Sequence, residues 1–125
     1  MFKILIAEDD KELCQLFRRV LTMNGYQPIC VSDGKQALDV LDKEYIDLII
    51  SDIMMPVMDG FEATRRIRTG VRPDGKDVPI IALTANAMMT AAKTGRKAGM
   101  NRYLTKPVDK EKLYIALSEY LDSRN

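Results

Sequence analysis

KILIAEDD (residues 3–10) runs four apolar side chains, Ile4 to Ala7, straight into three carboxylates, Glu8, Asp9 and Asp10. An apolar run of this length without alternation reads as a strand buried on both faces, the kind that parallel sheets use. The same grammar recurs three times. LIIS (48–51) runs into Asp52, PIIAL (79–83) into Thr84, and RYLT (102–105) into Lys106, which Pro107 follows. Helix-period segments lie between the runs, so the chain alternates strand and helix.

Working outward from these runs, strands are expected over Phe2–Ala7, Gln27–Val31, Asp47–Ser51, Val78–Leu83 and Arg102–Thr105. Helices are expected over Lys11–Met23, from Ser32-Asp33-Gly34 through Leu41, and over Phe61–Arg68, Asn86–Ala98 and Lys110–Leu121. In the first helix Leu13, Phe17, Val20 and Leu21 share a stripe, with Asp9 or Asp10 as cap and Asn24-Gly25 as terminator. The segment Asn86–Ala98 has poor helix propensity, with Gly95 and two threonines, and Gly99 is placed for a left-handed end. Thr69–Asp77, rich in Gly, Pro and charge, reads as a surface loop. Five βα units with right-handed crossovers predict an α/β fold. It is a (βα)5 doubly wound, five-stranded parallel sheet of order 2-1-3-4-5, a flavodoxin-like three-layer sandwich, formed as one domain over 1–125. Ligands of such sheets sit at the carboxyl ends of the strands. There Glu8, Asp9 and Asp52 converge if strands one and three are neighbours.

The 125 residues are 46% hydrophobic and 30% charged with a net charge of +1, a composition that supports a core and offers no basic footprint for nucleic acid. No apolar run approaches the roughly 18 residues of a membrane span. MFKILIAEDD lacks a secretory cleavage pattern, so a cytoplasmic location is expected. Histidine is absent, which removes His-dependent triads and His-ligated zinc sites. Cys14 and Cys30, the two cysteines, could form a disulfide or metal pair, but two small buried thiols in a reducing compartment is the better reading.

Clustered carboxylates repel one another, and a hard dication with oxygen ligands relieves that repulsion. Asp52 suits a second ligand or a carboxylate nucleophile of the kind that forms an aspartyl phosphate. Phosphoryl transfer demands mainly positioning and charge neutralisation, for which Lys106 offers an ammonium and Thr84 a hydroxyl. Each residue alone has a plainer reading. The acids favour a helix N-terminus, Asp52 a turn, Thr84 a strand end and Lys106 a solvated surface. Their shared position at strand ends is what favours a site. The methionines, Met54, Met55, Met58, Met88, Met89 and Met100, read as packing or contact residues, since hard oxygen ligands argue against a soft metal.

Four segments, KILIAEDD, DLIISDIMMPVMDGFE, VPIIALTA and AGMNRYLTKP, occur in order and at familiar intervals. On these the chain resembles the receiver domain of bacterial response regulators over essentially its whole length. The resemblance implies that Asp52 is phosphorylated by a sensor histidine kinase or a histidine phosphotransfer protein. It implies that Asp9 binds Mg²⁺ (or Mn²⁺) directly, Glu8 through water, and Met54 through its backbone carbonyl. Thr84 and Lys106 would contact the phosphoryl group, Tyr103 would be an aromatic switch, and Lys106–Pro107 would be cis. By the same resemblance, Met54 and Asn86 would occupy positions that tune phosphoryl lifetime in the family. The helix over Asn86–Ala98, the fifth strand and the last helix would signal to a downstream protein effector. Such a module is a phosphoacceptor that assists its own phosphotransfer rather than an enzyme, and it engages neither nucleic acid nor membrane.

Rival readings differ in one feature each. An FMN-binding flavodoxin-like carrier would need a hydroxyl- and glycine-rich loop after the first strand, where Glu8-Asp9-Asp10 stands. An aspartyl-phosphate phosphatase would need a D-x-D loop there, and a P-loop nucleotidase needs a motif this chain lacks. An unphosphorylated pseudo-receiver is disfavoured by the complete set of Glu8, Asp9, Asp52, Thr84 and Lys106. A stand-alone regulator and a domain of a longer protein fit the sequence equally well.

Overall fold

The computed structural model describes residues 1–54, 58–70, 77–85 and 99–121, apart from the Phe61 side chain. Five strands, β1 (Lys3–Ala7), β2 (Gln27–Val31), β3 (Leu48–Asp52), β4 (Ile80–Thr84) and β5 (Arg102–Thr105), form one sheet in the order β2-β1-β3-β4-β5. Every pairing is parallel. The described helices are α1 (Lys11–Met23), α2 (Gly34–Lys43), α3 (Gly60–Thr69) and α4 (Lys110–Leu121). The helix expected over Asn86–Ala98, with the tuning position Asn86, and most of the loop expected over Thr69–Asp77 lie outside the described residues.

The two-residue strand period divides the core. Ile4 and Ile6 face one layer with Phe17, Leu21, Leu48, Ile50, Leu113 and Leu117, under α1 and α4. Leu5 and Ala7 face the other with Ala37, Leu41, Ile49 and Ile67, under α2 and α3. Because consecutive strand residues point to opposite faces, an unbroken apolar run is what a sheet covered on both sides requires. Truncating one of these central isoleucines to alanine is worth about 2–5 kcal/mol.

Aspartates start the helices. Asp10 Oδ1 accepts from the N–H groups of Glu12 (3.0 Å) and Leu13 (3.3 Å), so Asp10 rather than Asp9 is the α1 cap. Asp33 caps α2 and Asp59 caps α3 in the same way. Gly25 ends α1 at φ +84°, and Gly99 precedes β5 at φ +105°, both in the region that favours glycine.

Two strand ends depart from expectation. β3 runs to Asp52 and β4 to Thr84, each one residue beyond the predicted end and starting later than predicted. The ladder continues because neighbours supply partners. Asp52 pairs with Leu83 and Thr84 with Thr105. The Ile53 N–H donates to Leu83 O (3.1 Å) and the Lys106 N–H to Thr84 O (2.8 Å). Polar side chains at these positions do not interrupt backbone pairing. Asp52 and Thr84 are therefore held by the sheet itself. Helices α2 and α3 likewise extend slightly past their predicted limits, to Lys43 and Thr69. The two thiols are free, and they are half-buried rather than fully buried.

At the opposite edge of the sheet Arg68, from the last turn of α3, donates to Val78 O (2.7 Å), Gly99 O (3.0 Å) and Asn101 Oδ1 (2.8 Å). Asn101 Oδ1 also accepts from the Ile80 N–H at 2.9 Å. This fixes the entries of β4 and β5, and hence where their carboxyl ends fall.

Candidate functional site

The parallel register brings four strand ends to one edge. Ala7 pairs with Ser51, so one residue further along each strand Glu8 stands beside Asp52. Thr84 ends the next strand, and Lys106 follows the strand after that. β1 and β3 are adjacent although β2 lies between them in sequence. That is where the winding reverses, the place where such sheets open a crevice.

Glu8 is 1%, Thr84 4% and Asp52 5% exposed, whereas Asp9 lies at the surface. One carboxylate oxygen from each of Glu8, Asp9 and Asp52 lies within 4.8 Å of the others. The Lys106 ammonium reaches past β4 to sit 2.7 Å from Glu8 Oε1 and 2.9 Å from Asp52 Oδ2. Asp52 Oδ1 accepts the Met54 N–H at 3.0 Å, and Glu8 Oε2 accepts the Asp10 N–H at 3.1 Å. Among the described residues, Glu8 Oε1 has its ionic neighbour but no well-aligned hydrogen-bond donor.

The charges respond to this crowding. Burial pushes the Glu8 carboxyl up to about 7, and the neighbouring Asp9 and Asp52 add to the rise, against the opposing pull of Lys106 and the Asp10 N–H. Burial pulls the Lys106 ammonium down, but its contacts with Glu8 and Asp52 outweigh that and leave it raised. A buried oxygen short of a donor, beside two other hard oxygens, fits a small divalent cation such as Mg²⁺, which takes one or two carboxylates and otherwise keeps water or phosphate oxygens. Asp10 Oδ1 is committed to the helix cap, and Asp10 is not among the three acids that converge.

The other expected residues fall as follows. The Met54 side chain is 76% exposed. Tyr103 lies on β5 and is 39% exposed. The Lys106–Pro107 peptide bond is cis.

Two residues that sequence reasoning passed over also shape the site. Ser51 Oγ donates to Asp52 O at 3.1 Å. Gly60 opens α3 so close to β3 that a Cβ there would meet Asp52 O at 2.4 Å and Ser51 Oγ at 2.9 Å. Gly60 reads as the last residue of a loop in sequence, and nothing local distinguishes a turn glycine from one required by a close approach.

The sequence model for the response regulator receiver domain matches residues 4–118. The chain belongs to the receiver family. This receiver is 37% identical over 119 residues to the response regulator MprA of Mycolicibacterium vanbaalenii, across 95% of its own length and 50% of MprA, so it spans about half of that relative. It is 38% identical to an uncharacterised 14.6 kDa protein of Leptolyngbya boryana, covering 94% of the chain and 88% of that protein. Among solved structures it superposes on the chemotaxis protein CheY4 of Vibrio cholerae with a TM-score of 0.90 at 33% identity, covering 97% and 99% of the two chains. The receiver domain of the sensor histidine kinase PA1611 of Pseudomonas aeruginosa, solved with a magnesium ion coordinated in its active-site cleft, gives a TM-score of 0.86 at 38% identity over 95% and 96%. Receivers are signalling modules of two-component systems, and among the described residues no helix is long and apolar enough to cross a membrane.

Proposed function

We propose that Asp52 is the phosphoacceptor, taking its phosphoryl group from the phosphohistidine of a sensor histidine kinase or histidine phosphotransfer protein in the cytoplasm. The observation that carries this is the setting of Asp52. It ends β3 with one oxygen held by the Met54 N–H and the other by the Lys106 ammonium, beside Glu8 and Asp9. Glu8, Asp9, Asp52 and the Met54 carbonyl would hold Mg²⁺ (or Mn²⁺), whose chemistry is to neutralise charge on the phosphoryl oxygens and the acids.

An Asp52 oxygen attacks phosphorus as the P–N bond to the donor imidazole breaks, and the imidazole leaves with the bonding pair. Lys106 is already within an ion pair of Asp52, so its ammonium can follow the new negative charge. Thr84, at the adjacent strand end, would supply a hydroxyl donor. Water later attacks the acyl phosphate and restores the Asp52 carboxylate. The added charge and acceptor oxygens favour the arrangement in which Thr84 and Lys106 close on the phosphoryl group. Tyr103, partly exposed here, would turn inward as Thr84 moves and alter the surface that a downstream effector reads.

The test is intact mass after exposure to a small phosphodonor with Mg²⁺. One hydroxylamine-sensitive phosphoryl group per chain is expected, absent in Asp52→Asn. Equal labelling of the Asn variant refutes Asp52 as the acceptor.

A further inference from the structure

Cys14 on α1 and Cys30 on β2 meet across the helix–strand contact. The Cys30 thiol donates to Cys14 O at 3.7 Å, and the Cys14 thiol donates to Glu8 O at 3.2 Å. Both are free, half-buried, and line one cavity of about 310 Å³ with Glu8, Asp9, Arg18 and Ser32. Arg18, one turn along the same helix, lines the same cavity. The two sulfurs are held differently. The Cys14 thiol is engaged by the Glu8 carbonyl at 3.2 Å, whereas the Cys30 thiol is held only loosely, at 3.7 Å, and shares the cavity with the Arg18 guanidinium. An accessible thiol beside a cation, with a second thiol in reach, is the arrangement that oxidant-sensing cysteines use.

We propose that Cys14 and Cys30 form a reversible disulfide, with Cys30 attacked first by a hydroperoxide and Cys14 as the resolving thiol. In the first step the Cys30 sulfur displaces an alcohol or water from the peroxide. The O–O bond breaks, an S–O bond forms, and the sulfur is oxidised to sulfenic acid as the peroxide is reduced. In the second the Cys14 sulfur attacks the Cys30 sulfur, the S–O bond breaks, and water leaves with the Cys14 proton. An external dithiol reduces the bridge. A disulfide needs Cβ atoms about 3.8 Å apart, and the Cys30 sulfur already lies 3.7 Å from the Cys14 carbonyl oxygen. The cross-link fastens α1 to β2 at a wall shared with the acidic pocket, replacing the thiol bond to Glu8 O.

The experiment is hydrogen peroxide at neutral pH on the reduced chain, without metal or phosphodonor, so its outcome is independent of the phosphoacceptor reading. Expected is a loss of two hydrogens in intact mass, a peptide pair joining Cys14 to Cys30, and full reversal by dithiothreitol. Separate sulfinic or sulfonic acids, a bridge between chains, or two thiols left unmodified would overturn the proposal. The wild-type chain suffices for that result. For the order of events, Cys14→Ser is expected to accumulate a Cys30 sulfenic acid captured by a cyclic 1,3-diketone. Capture at Cys14 in Cys30→Ser at an equal or greater rate refutes Cys30 as the first thiol.

Discussion

Lys106 Nζ lies 2.9 Å from Asp52 Oδ2 although β4 stands between the strands that carry the two residues. The same ammonium is 2.7 Å from Glu8 Oε1. One cation therefore serves two carboxylates that the sheet forces together, and both are buried. Exposed pairs of this kind contribute little, but removing one partner of a buried pair strands the other. Lys106 and a divalent cation answer the same need, charge balance for Glu8 and Asp52.

Lys106→Ala is accordingly expected to lower stability by about 1–3 kcal/mol in chelator, and Mg²⁺ is expected to recover much of that loss. Urea midpoints with and without Mg²⁺ measure both. The variant is also expected to accept phosphate while responding weakly in conformation. A variant whose hydrogen-exchange protection changes on phosphorylation as fully as the wild type's contradicts that role.

Glu8 gives the metal-free chain a distinctive pH profile. Its carboxyl is raised from 4.5 to about 7 in the fold, so between those values the native state holds a proton that the unfolded chain has released. This contribution is fully present below pH 4.5 and is lost as pH rises through 7, about 3 kcal/mol at most. The expected trend is a falling urea midpoint across that window in chelator, which Glu8→Gln flattens. A midpoint that does not respond to Glu8→Gln counts against the assignment.

Asp10→Ala separates the neighbouring acids. It removes the α1 cap and is expected to cost about 1 kcal/mol, while phosphoryl labelling at saturating Mg²⁺ persists. Asp9→Ala is expected to spare stability and weaken Mg²⁺ binding, read by titration calorimetry. Reversal of the two phenotypes would mean that the acids had been given each other's tasks.

Gly60→Ala tests the approach of α3 to β3. A Cβ 2.4 Å from Asp52 O must displace backbone on both sides, a cost of about 1–3 kcal/mol in comparable overpacking. Slower labelling of Asp52 should accompany the lower midpoint, because the displaced atom is the Asp52 carbonyl. Wild-type stability and labelling together would show that the contact is easily relieved.

Much of this was written in the order of residues. Unbroken apolar runs such as Ile4–Ala7 identify strands covered on both faces, and their alternation with amphipathic segments leads to a parallel sheet of order 2-1-3-4-5, as observed. Clustered acids at strand ends mark the edge where chemistry belongs. These features are legible because burial and helical periodicity are properties of consecutive side chains. Strand ends were less so. Asp52 and Thr84 look like residues beyond a strand, yet partners on neighbouring strands extend the ladder through them. Tertiary structure alone decided that Asp10 caps a helix while Glu8 is buried, that Gly60 must lack a side chain, and that Lys106 reaches two strands away. The same holds for the Cys14–Cys30 contact, between residues 16 apart in sequence. Each depends on distances between segments separated along the chain, and a linear pattern carries no information about those until the sheet sets its register.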